Sequence, residues 1–357
     1  MRTRLFPRLG VASEDGGHSS ISDVFVHAGH PKTGSSAIQS ALANSTDELL
    51  ALGIRYPINS SEQDRVKAGA MSTGNWRSDV RKLSGSGRIE KLLGGSSAVL
   101  ISGETLFNLG ELRELSASIE RLNRADARPH VRVLCYVRDP FEHAASQYQQ
   151  TIKTWGQASA FDDYLATYQF PKRVRKFLES TSERGYEVSV LNYSRQRKVL
   201  LHTFESWLGV PDGTLQPPEN KVVNRSLTRS ELELQRLCNV HADGDWAQLL
   251  TDKLIHTLPD QRPEVPVASR EAVAAFVARM RAETEQTNAL LPVSEQYRVE
   301  SEDEILQRIG SQGEDSAQFS FSADQLATLV EWIAETQNRH SRWTLSLPFW
   351  KRRKASR

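Results

Sequence analysis

Short apolar runs alternate with amphipathic stretches over the first 210 residues of the chain. Four of the runs are predicted to be buried strands, because they are too short for buried helices and rich in β-branched residues. These strands are DVFVHAG from residue 23, AVLIS at 98–102, VRVLCYV at 131–137 and EVSVLNY at 187–193. The segment IRYP after Gly53 is expected to add a short extended piece.

The stretches between the strands repeat apolar residues at helical spacing, which predicts helices there. One follows the first strand and ends near Gly53, and others cover about 111–123, 140–155, 172–184 and 196–208. Asp139 and Pro140 are typical of the N-cap and first position of the third helix. Strands that alternate with helices indicate an α/β fold, with a parallel sheet sandwiched by helices.

Beyond the last strand and its helix, the remaining periodic segments are all helical. The chain is therefore predicted to comprise a flexible N-terminus at 1–20, an α/β core at 21–215, a helical extension packed on the core at 216–345 and a basic tail at 346–357. The Gly- and Ser-rich stretch 58–95 is expected to be irregular, with one or two helices.

Composition narrows the class of protein. The chain is 38% hydrophobic and 25% charged with a net charge of +1, so no global field favours nucleic acid. Two cysteines cannot form a disulfide framework, which favours a cytoplasmic location. No apolar run reaches the roughly 18 residues of a membrane helix. The basic C-terminal tail is expected to make at most peripheral contact with an anionic membrane.

The first strand leads into the sequence HPKTGSS, which resembles a nucleotide loop with a displaced lysine. Gly29 and Gly34 keep the spacing of the pattern G-x-x-x-x-G-K-[ST], but Ser35 stands where the lysine belongs. The lysine is Lys32, inside the loop. A strand, a loop and a helix start expose backbone N–H groups at the positive end of the helix dipole. Ser35 and Ser36 add hydroxyl groups, so the segment predicts an anion site.

The strand 131–137 is followed by a basic residue rather than by an acidic one. A triphosphate site needs a carboxylate here to hold magnesium, yet Arg138 comes before Asp139. An arginine at this point opposes a metal and favours a second anion. The two strand ends together predict a site for two phosphates, which argues against an ATPase.

Three segments resemble the sulfotransferases that use 3'-phosphoadenosine 5'-phosphosulfate (PAPS). KTGSS at 32–36 resembles their 5'-phosphosulfate loop, and VHAGHPKTGSSAIQ is similar to the bacterial branch. YVRDPFEHAASQY resembles their 3'-phosphate motif, with Arg138 followed eight residues later by Ser146. VLISGETLF resembles the segment with the catalytic glutamate of carbohydrate sulfotransferases, here Glu104. The resemblance covers about 24–239 and implies a P-loop NTPase-like sulfotransferase fold.

The resemblance implies a role for each matched residue. Lys32 stabilises the charge that grows on the leaving phosphate, and Glu104 takes the proton of the acceptor. The residues expected to bind PAPS, or its product 3',5'-adenosine bisphosphate (PAP), are Gly29, Lys32, Thr33, Gly34, Ser35, Ser36, Arg138 and Ser146. No metal is required by this scheme.

The sequence departs from the family motifs at several positions, and these differences indicate which branch of the family and which acceptor to expect. Many members have Thr-Thr at Ser35 and Ser36, and the cytosolic small-molecule branch has tryptophan at Ala37 for the adenine. The adenine contacts therefore stay unassigned, and Arg225 is a poor match for a late phosphate contact. The expected acceptor is a hydroxyl or amine of a saccharide or glycolipid. The side chains of Trp76, Trp155 and Tyr168 either stack on a sugar or belong to the core.

Several alternatives stay open. His27 is an alternative base to Glu104, although a buried position is favoured, and His143 is predicted to be an exposed helix residue. A divergent P-loop kinase or hydrolase would bind magnesium–ATP. A non-catalytic nucleotide-binding scaffold would bind PAP without transferring anything. The oligomeric state does not follow from the sequence.

Overall fold

The computed structural model describes residues 22–67, 70, 72–76, 96–122, 129–217, 225–241, 244–310 and 319–346. The predicted flexible N-terminus at 1–20, much of the stretch 58–95 and nearly all of the predicted basic tail at 346–357 lie outside the described residues.

Five parallel strands form one sheet. They are β1 (Asp23–Ala28), β2 (Ile54–Arg55), β3 (Ala98–Gly103), β4 (His130–Val137) and β5 (Glu187–Asn192). Their order is β2-β3-β1-β4-β5, which confirms the predicted α/β class with a parallel sheet. Ala28 is level with Gly103 and Cys135 in the register. The residues that follow β1, β3 and β4 therefore emerge at one carboxyl edge, where ligands bind in open sheets.

The helices lie close to their predicted positions along the sequence. In chain order they are α1 (Ser35–Asn44), α2 (Thr46–Ala51), α3 (Ser60–Lys67), α4 (Leu109–Leu122), α5 (Pro140–Trp155), α6 (Phe161–Thr167), α7 (Phe170–Ser182), α8 (Tyr193–Gln196), α9 (Leu200–Leu208), α10 (Arg229–His241), α11 (Gly244–Thr257), α12 (Arg270–Asn288), α13 (Glu302–Gly310) and α14 (Ala323–Ser346). Short 3-10 turns cover Glu104–Phe107 and Val293–Glu295.

The helix after the loop is broken where one continuous helix was predicted. Ser45 leaves the helical conformation, with φ −114° and ψ 29°, and separates α1 from α2. The side chain of Ser45 is fully buried, and its Oγ accepts a hydrogen bond from the amide of Gln216 at 2.8 Å. A long-range partner thus ends the helix, which helical periodicity alone does not reveal.

Helices cover both faces of the sheet. Alternate residues of β1 point to opposite faces, as strand geometry requires. Val24 and Val26 pack in a cluster that includes Phe177 of α7, whereas Phe25 packs in another that includes Ile38 of α1. All of these side chains are fully buried, and each stabilises the fold by about 1.5 to 3 kcal/mol. The core fixes the strand ends that carry the site.

The chain divides into two compact units by its contacts. The first comprises residues 1–143, 169–222 and 277–299 and contains the sheet; the second comprises the rest, 144–168, 223–276 and 300–357. Both units are discontinuous in sequence. No helix within the described part of the chain has the length and apolarity that crossing a bilayer requires.

Candidate functional site

The loop between β1 and α1 holds a strained lysine. Among the described residues, Lys32 alone of the non-glycines has a positive φ, of +60°. The left-handed conformation costs an L-residue about 1 to 2 kcal/mol. Such strain persists only where the surroundings enforce it, and it clusters at binding sites. The displaced lysine is therefore also the residue whose backbone adopts the strained left-handed conformation.

Side chains from α5 and the end of β4 hold two successive carbonyls of this loop. The Nε2 of His143 donates to the carbonyl of Pro31 at 2.9 Å. The Nη1 of Arg138 donates to the carbonyl of Lys32 at 3.0 Å. A trans peptide directs its N–H opposite to its C=O, and the described peptides are trans. The N–H groups of Lys32 and Thr33 therefore point away from these two side chains, as in a backbone anion nest.

Two glycines of the loop are required by protein packing. A Cβ on Gly29 would lie 2.9 Å from Ser35 Oγ and 3.0 Å from the Cα of Glu104. Gly34 has φ +84°, and a Cβ there would lie 2.6 Å from Leu200 Cδ2. The close approach at Gly29 brings Glu104 directly against the loop.

A Gly34→Ala substitution is expected to destabilise the protein more than Gly213→Ala does. Both residues have left-handed φ values, but nothing lies within 4 Å of a Cβ on Gly213. The clash at Gly34 adds about 1 to 3 kcal/mol to the shared conformational cost. Urea denaturation of the two variants measures the difference. Equal losses of stability would contradict the close packing of the loop on α8 and α9.

The hydroxyl groups of the loop are not equivalent. Thr33 Oγ1 donates to the carbonyl of His30 at 2.6 Å, and Ser35 Oγ lies 3.4 Å from the same carbonyl. A hydroxyl that donates to this carbonyl has only lone pairs left for other partners. Ser36, in the first turn of α1, is half-buried. In this conformation Ser36 is better placed than Thr33 to donate a hydrogen bond to an anion.

Lys32 interacts electrostatically with both Glu104 and Arg138. Burial lowers the pKa of Lys32, the charge of Arg138 lowers it further, and Glu104 opposes both. Glu104 follows β3 and keeps an exposed side chain. Partial loss of surrounding water nevertheless raises the pKa of its carboxyl, while Lys32 opposes that shift. Lys32 therefore lies near both Glu104 and Arg138 at the carboxyl edge, and a raised glutamate pKa suits proton transfer.

Arg138 has structural partners as well as its predicted role. Its Nε lies 3.5 Å from Glu142 Oε2, and its guanidinium lies 5.5 Å from the centre of the Tyr193 ring. One of its five N–H donors is given to the loop carbonyl described above. Ser146, the other predicted 3'-phosphate residue, is half-buried on the part of α5 that belongs to the second unit. Its role stays a prediction.

Asp139 is engaged by the protein. Its Oδ1 accepts hydrogen bonds from Asn192 Nδ2 at 2.9 Å and from the amide of Arg298 at 3.0 Å. Its backbone carbonyl accepts the first bond of α5, from the amide of His143 at 2.9 Å. Asp139 therefore begins the helix as predicted, and its carboxylate ties β5 and the segment around residue 298 to that position.

The prediction that His143 is exposed is wrong. His143 is fully buried, and its ring lies 4.5 Å from the rings of His30 and Phe170. Burial lowers the pKa of His30 to about 3 and that of His143 well below the usual value. Both imidazoles are therefore neutral, and both have a nitrogen within 3.1 Å of the Pro31 carbonyl. This pair was missed because helical spacing says nothing about the loop that covers α5.

Replacing His143 by phenylalanine is expected to loosen the loop. The ring volume is retained, but the hydrogen bond to Pro31 is lost, which costs about 1 kcal/mol because His30 remains. The free energy of unfolding in urea should fall by that amount and the affinity for PAP should fall several-fold. His256→Phe, at an exposed histidine, serves as the control. Unchanged PAP affinity in His143→Phe would mean that His143 does not position the loop.

His27 lies beneath the site rather than in it. It is fully buried in β1, and burial lowers its pKa to about 3. Its Nδ1 lies 2.9 Å from Ser102 Oγ, which also accepts from Gln39 Nε2 at 3.3 Å. His27 Nδ1 and Ser102 Oγ therefore share a hydrogen bond, and the tautomer of the ring decides which atom donates it. A buried, neutral histidine in this position is a poor alternative to Glu104 as a base.

Two of the three candidate aromatic surfaces belong to the core. Trp76 is fully buried, with Nε1 donating to Glu111 Oε2 at 2.7 Å, and Tyr168 is 3% exposed. Trp155 is 69% exposed and alone of the three presents a surface to solvent.

Arg225, the poor match for a late phosphate contact, has a structural role. Its guanidinium forms a buried bidentate pair with the Glu231 carboxylate at 2.7 and 2.8 Å.

Comparisons with known proteins add no identification. No family model matches the chain, and no curated protein shows significant similarity to it. The geometry of the loop, the strand ends beside it and the resemblance of the three segments are the observations that bear on function.

Proposed function

We propose that this protein is a PAPS-dependent sulfotransferase that transfers a sulfuryl group to a hydroxyl or amine of a carbohydrate or glycolipid. The observation that carries the proposal is the strained loop at Lys32, held by Arg138 and His143, with Glu104 packed against Gly29. The loop supplies the Lys32 ammonium and the backbone amides of Lys32 and Thr33. Glu104, which follows β3, supplies a carboxylate.

The residues present fit a nucleotide that carries two separate phosphates. The amides of Lys32 and Thr33, the start of α1 and the Lys32 ammonium form one set of anion partners. Arg138 lies at the end of the neighbouring strand and suits a second phosphate. When bound, PAPS supplies the sulfuryl group on a 5'-phosphate that becomes the leaving group.

Each residue then has one task. Lys32 and the loop amides stabilise the negative charge that grows on the leaving phosphate oxygen. Glu104 accepts the acceptor proton as the new oxygen–sulfur or nitrogen–sulfur bond forms, and the bond from sulfur to the leaving oxygen breaks. Arg138 orients the 3'-phosphate, and the role that the resemblance implies for Ser146 stays a prediction. His143 and His30 keep the loop in place.

Two other functions make different predictions. A divergent kinase or hydrolase needs magnesium held by a carboxylate at the end of a second strand, whereas the Asp139 carboxylate is engaged by Asn192 and Arg298. A non-catalytic scaffold would bind PAP and transfer nothing, and the exposed Glu104 with its raised carboxyl pKa favours catalysis over that alternative.

Transfer of labelled sulfur tests the proposal. The protein is incubated with PAPS labelled in the sulfuryl group and with pools of saccharides and glycolipids, and PAP release is followed alongside. We expect label in an acceptor in proportion to PAP, at a rate about 10² to 10³ lower with Lys32→Ala. Binding of PAP without transfer to any pool would support the scaffold, and absence of PAP binding would refute both.

A further inference from the structure

Three side chains that can bind a metal meet at the end of helix α9. His202 and Glu205 lie on the helix with i, i+3 spacing, so their side chains are neighbours on its surface. Asp212 lies in the turn that follows the helix. Each residue offers one ligand atom, and these atoms all lie within 4.8 Å of one another. The three belong to the first unit and are called the α9 cluster below.

Glu205 is a buried acid without a basic partner. The residue is only 3% exposed. Its Oε1 accepts a hydrogen bond from the amide of Leu215 at 2.7 Å. Within the described part of the chain, Oε2 has no hydrogen-bond partner, and no lysine or arginine pairs with the carboxylate. A carboxylate removed from water without a counter-ion is destabilising, so a cation bound here would stabilise the fold.

The end of the helix favours a cation as well. Backbone carbonyls give the C-terminus of a helix a partial negative charge, and the last turn of α9 contains no basic residue. Asp212 brings a second carboxylate to the same place. The helix end and the two carboxylates therefore create a negative potential around the His202 imidazole.

The backbone holds two of the ligands in position. The carbonyl of Glu205 accepts a hydrogen bond from the amide of Val210 at 3.1 Å, at the point where the chain leaves the helix. Thr214 Oγ1 donates to the carbonyl of Pro211 at 2.7 Å and closes the turn that contains Asp212. Ligands on fixed backbone bind a metal more tightly, because less conformational entropy is lost on binding.

The remaining adjustment is small. His202 Nδ1 already lies 2.9 Å from Asp212 Oδ1, and the two side chains are 56% and 70% exposed, so both can turn toward Glu205. Zinc bonds to nitrogen and oxygen are about 2.0 to 2.2 Å long, which places neighbouring tetrahedral ligands about 3.4 Å apart. Ligand atoms within 4.8 Å of one another therefore need to approach by at most about 1.4 Å.

We propose that the α9 cluster binds a divalent transition metal, and that zinc suits it best. Zinc accepts imidazole nitrogen and carboxylate oxygen together, with water as a fourth ligand, whereas magnesium prefers oxygen ligands alone. The metal ties α9 to the turn after it and neutralises the buried Glu205. The proposal is independent of the sulfotransferase assignment, because no residue with a task in sulfuryl transfer belongs to the cluster.

A proton on His202 is the alternative cation, and it fits the cluster less well. A protonated imidazole would pair with Asp212, which its Nδ1 already contacts. In the described structure His202 forms no ion pair with Glu205, so this proton would leave the buried carboxylate without a partner. A metal reaches all three ligands at once.

Calorimetric titration of the full chain tests this proposal. The protein is treated with a chelator, freed of it, and titrated with zinc and with magnesium. We expect one tight zinc site per chain and much weaker binding of magnesium. His202→Gln and Asp212→Asn should each weaken zinc binding at least about tenfold, since disturbing even an outer-shell partner of a metal has that effect. The controls His256→Gln and Asp47→Asn, at exposed residues outside the cluster, should retain wild-type affinity.

Two further measurements separate coordination from an effect on folding. Cobalt(II) should give visible absorption bands that zinc abolishes by displacing it, and His202→Gln should lack them. Circular dichroism melts show that each variant is folded, and zinc should raise the melting temperature of the wild type and the controls but not that of the cluster variants. Absence of zinc binding to the wild type would overturn the proposal. So would equal zinc affinity in the wild type and both cluster variants, since the ligands would then lie elsewhere in the chain.

Discussion

Replacing Lys32 by alanine is expected to lower sulfuryl transfer by about 10² to 10³, the usual effect of removing one donor from a developing oxyanion. Lys32 lies in the strained loop, and its charge opposes the rise in the Glu104 pKa. Alanine keeps a Cβ, so the backbone strain is the same in both proteins. Initial rates with saturating acceptor, together with PAP affinity, measure the effect.

The control for this variant is Lys198→Ala. Lys198 is exposed in the same unit, and its removal changes the net charge equally. We expect wild-type rates from it. Equal activity of the two variants would show that Lys32 does not act on the leaving group.

Replacing Glu104 by glutamine is expected to lower turnover by about 10² to 10⁴ while leaving PAP affinity nearly unchanged. Glutamine has the same shape but cannot accept the acceptor proton. Glu183→Gln, at an exposed glutamate of the same unit, should retain full turnover. If Glu104→Gln turns over normally, the base lies elsewhere, and if it loses PAP affinity, Glu104 acts in binding rather than in proton transfer.

The pH dependence of the rate follows from the same residue. Only the carboxylate form of Glu104 accepts a proton, so activity should fall as the pH drops through its pKa. Because partial loss of surrounding water raises that pKa, the fall should occur at a higher pH than for an ordinary glutamate. The pH profile of Glu104→Gln should lack this acidic limb. If the acidic limb is unchanged in Glu104→Gln, a group other than Glu104 is responsible for it.

The strands and the loop were predictable because their signals are local. The apolar runs gave β1, β3, β4 and β5, and the glycine spacing around Lys32 marked the turn into α1. The parallel sheet followed from alternation of strands and helices. Since parallel strands end at one edge, the approach of Lys32, Glu104 and Arg138 was predictable in outline.

What could not be predicted depends on long-range partners. Ser45 ends α1 through a bond to Gln216, far along the chain. His143 is buried because His30 and Phe170 cover it, although its position in the helical pattern predicted an exposed side chain. Gly29 makes room for Glu104, which the glycine spacing does not reveal. These outcomes require knowing which segments meet in space.

Calorimetric titration with PAP and with magnesium–ATP tests the central claim most directly. The claim is that the loop around Lys32 and the arginine at the end of β4 bind two separate phosphates without a metal. We predict tight binding of PAP that is unaffected by a chelator, weakened in Lys32→Ala and in Arg138→Ala, with weak binding of magnesium–ATP. Tight, magnesium-dependent binding of ATP with no binding of PAP would contradict the account.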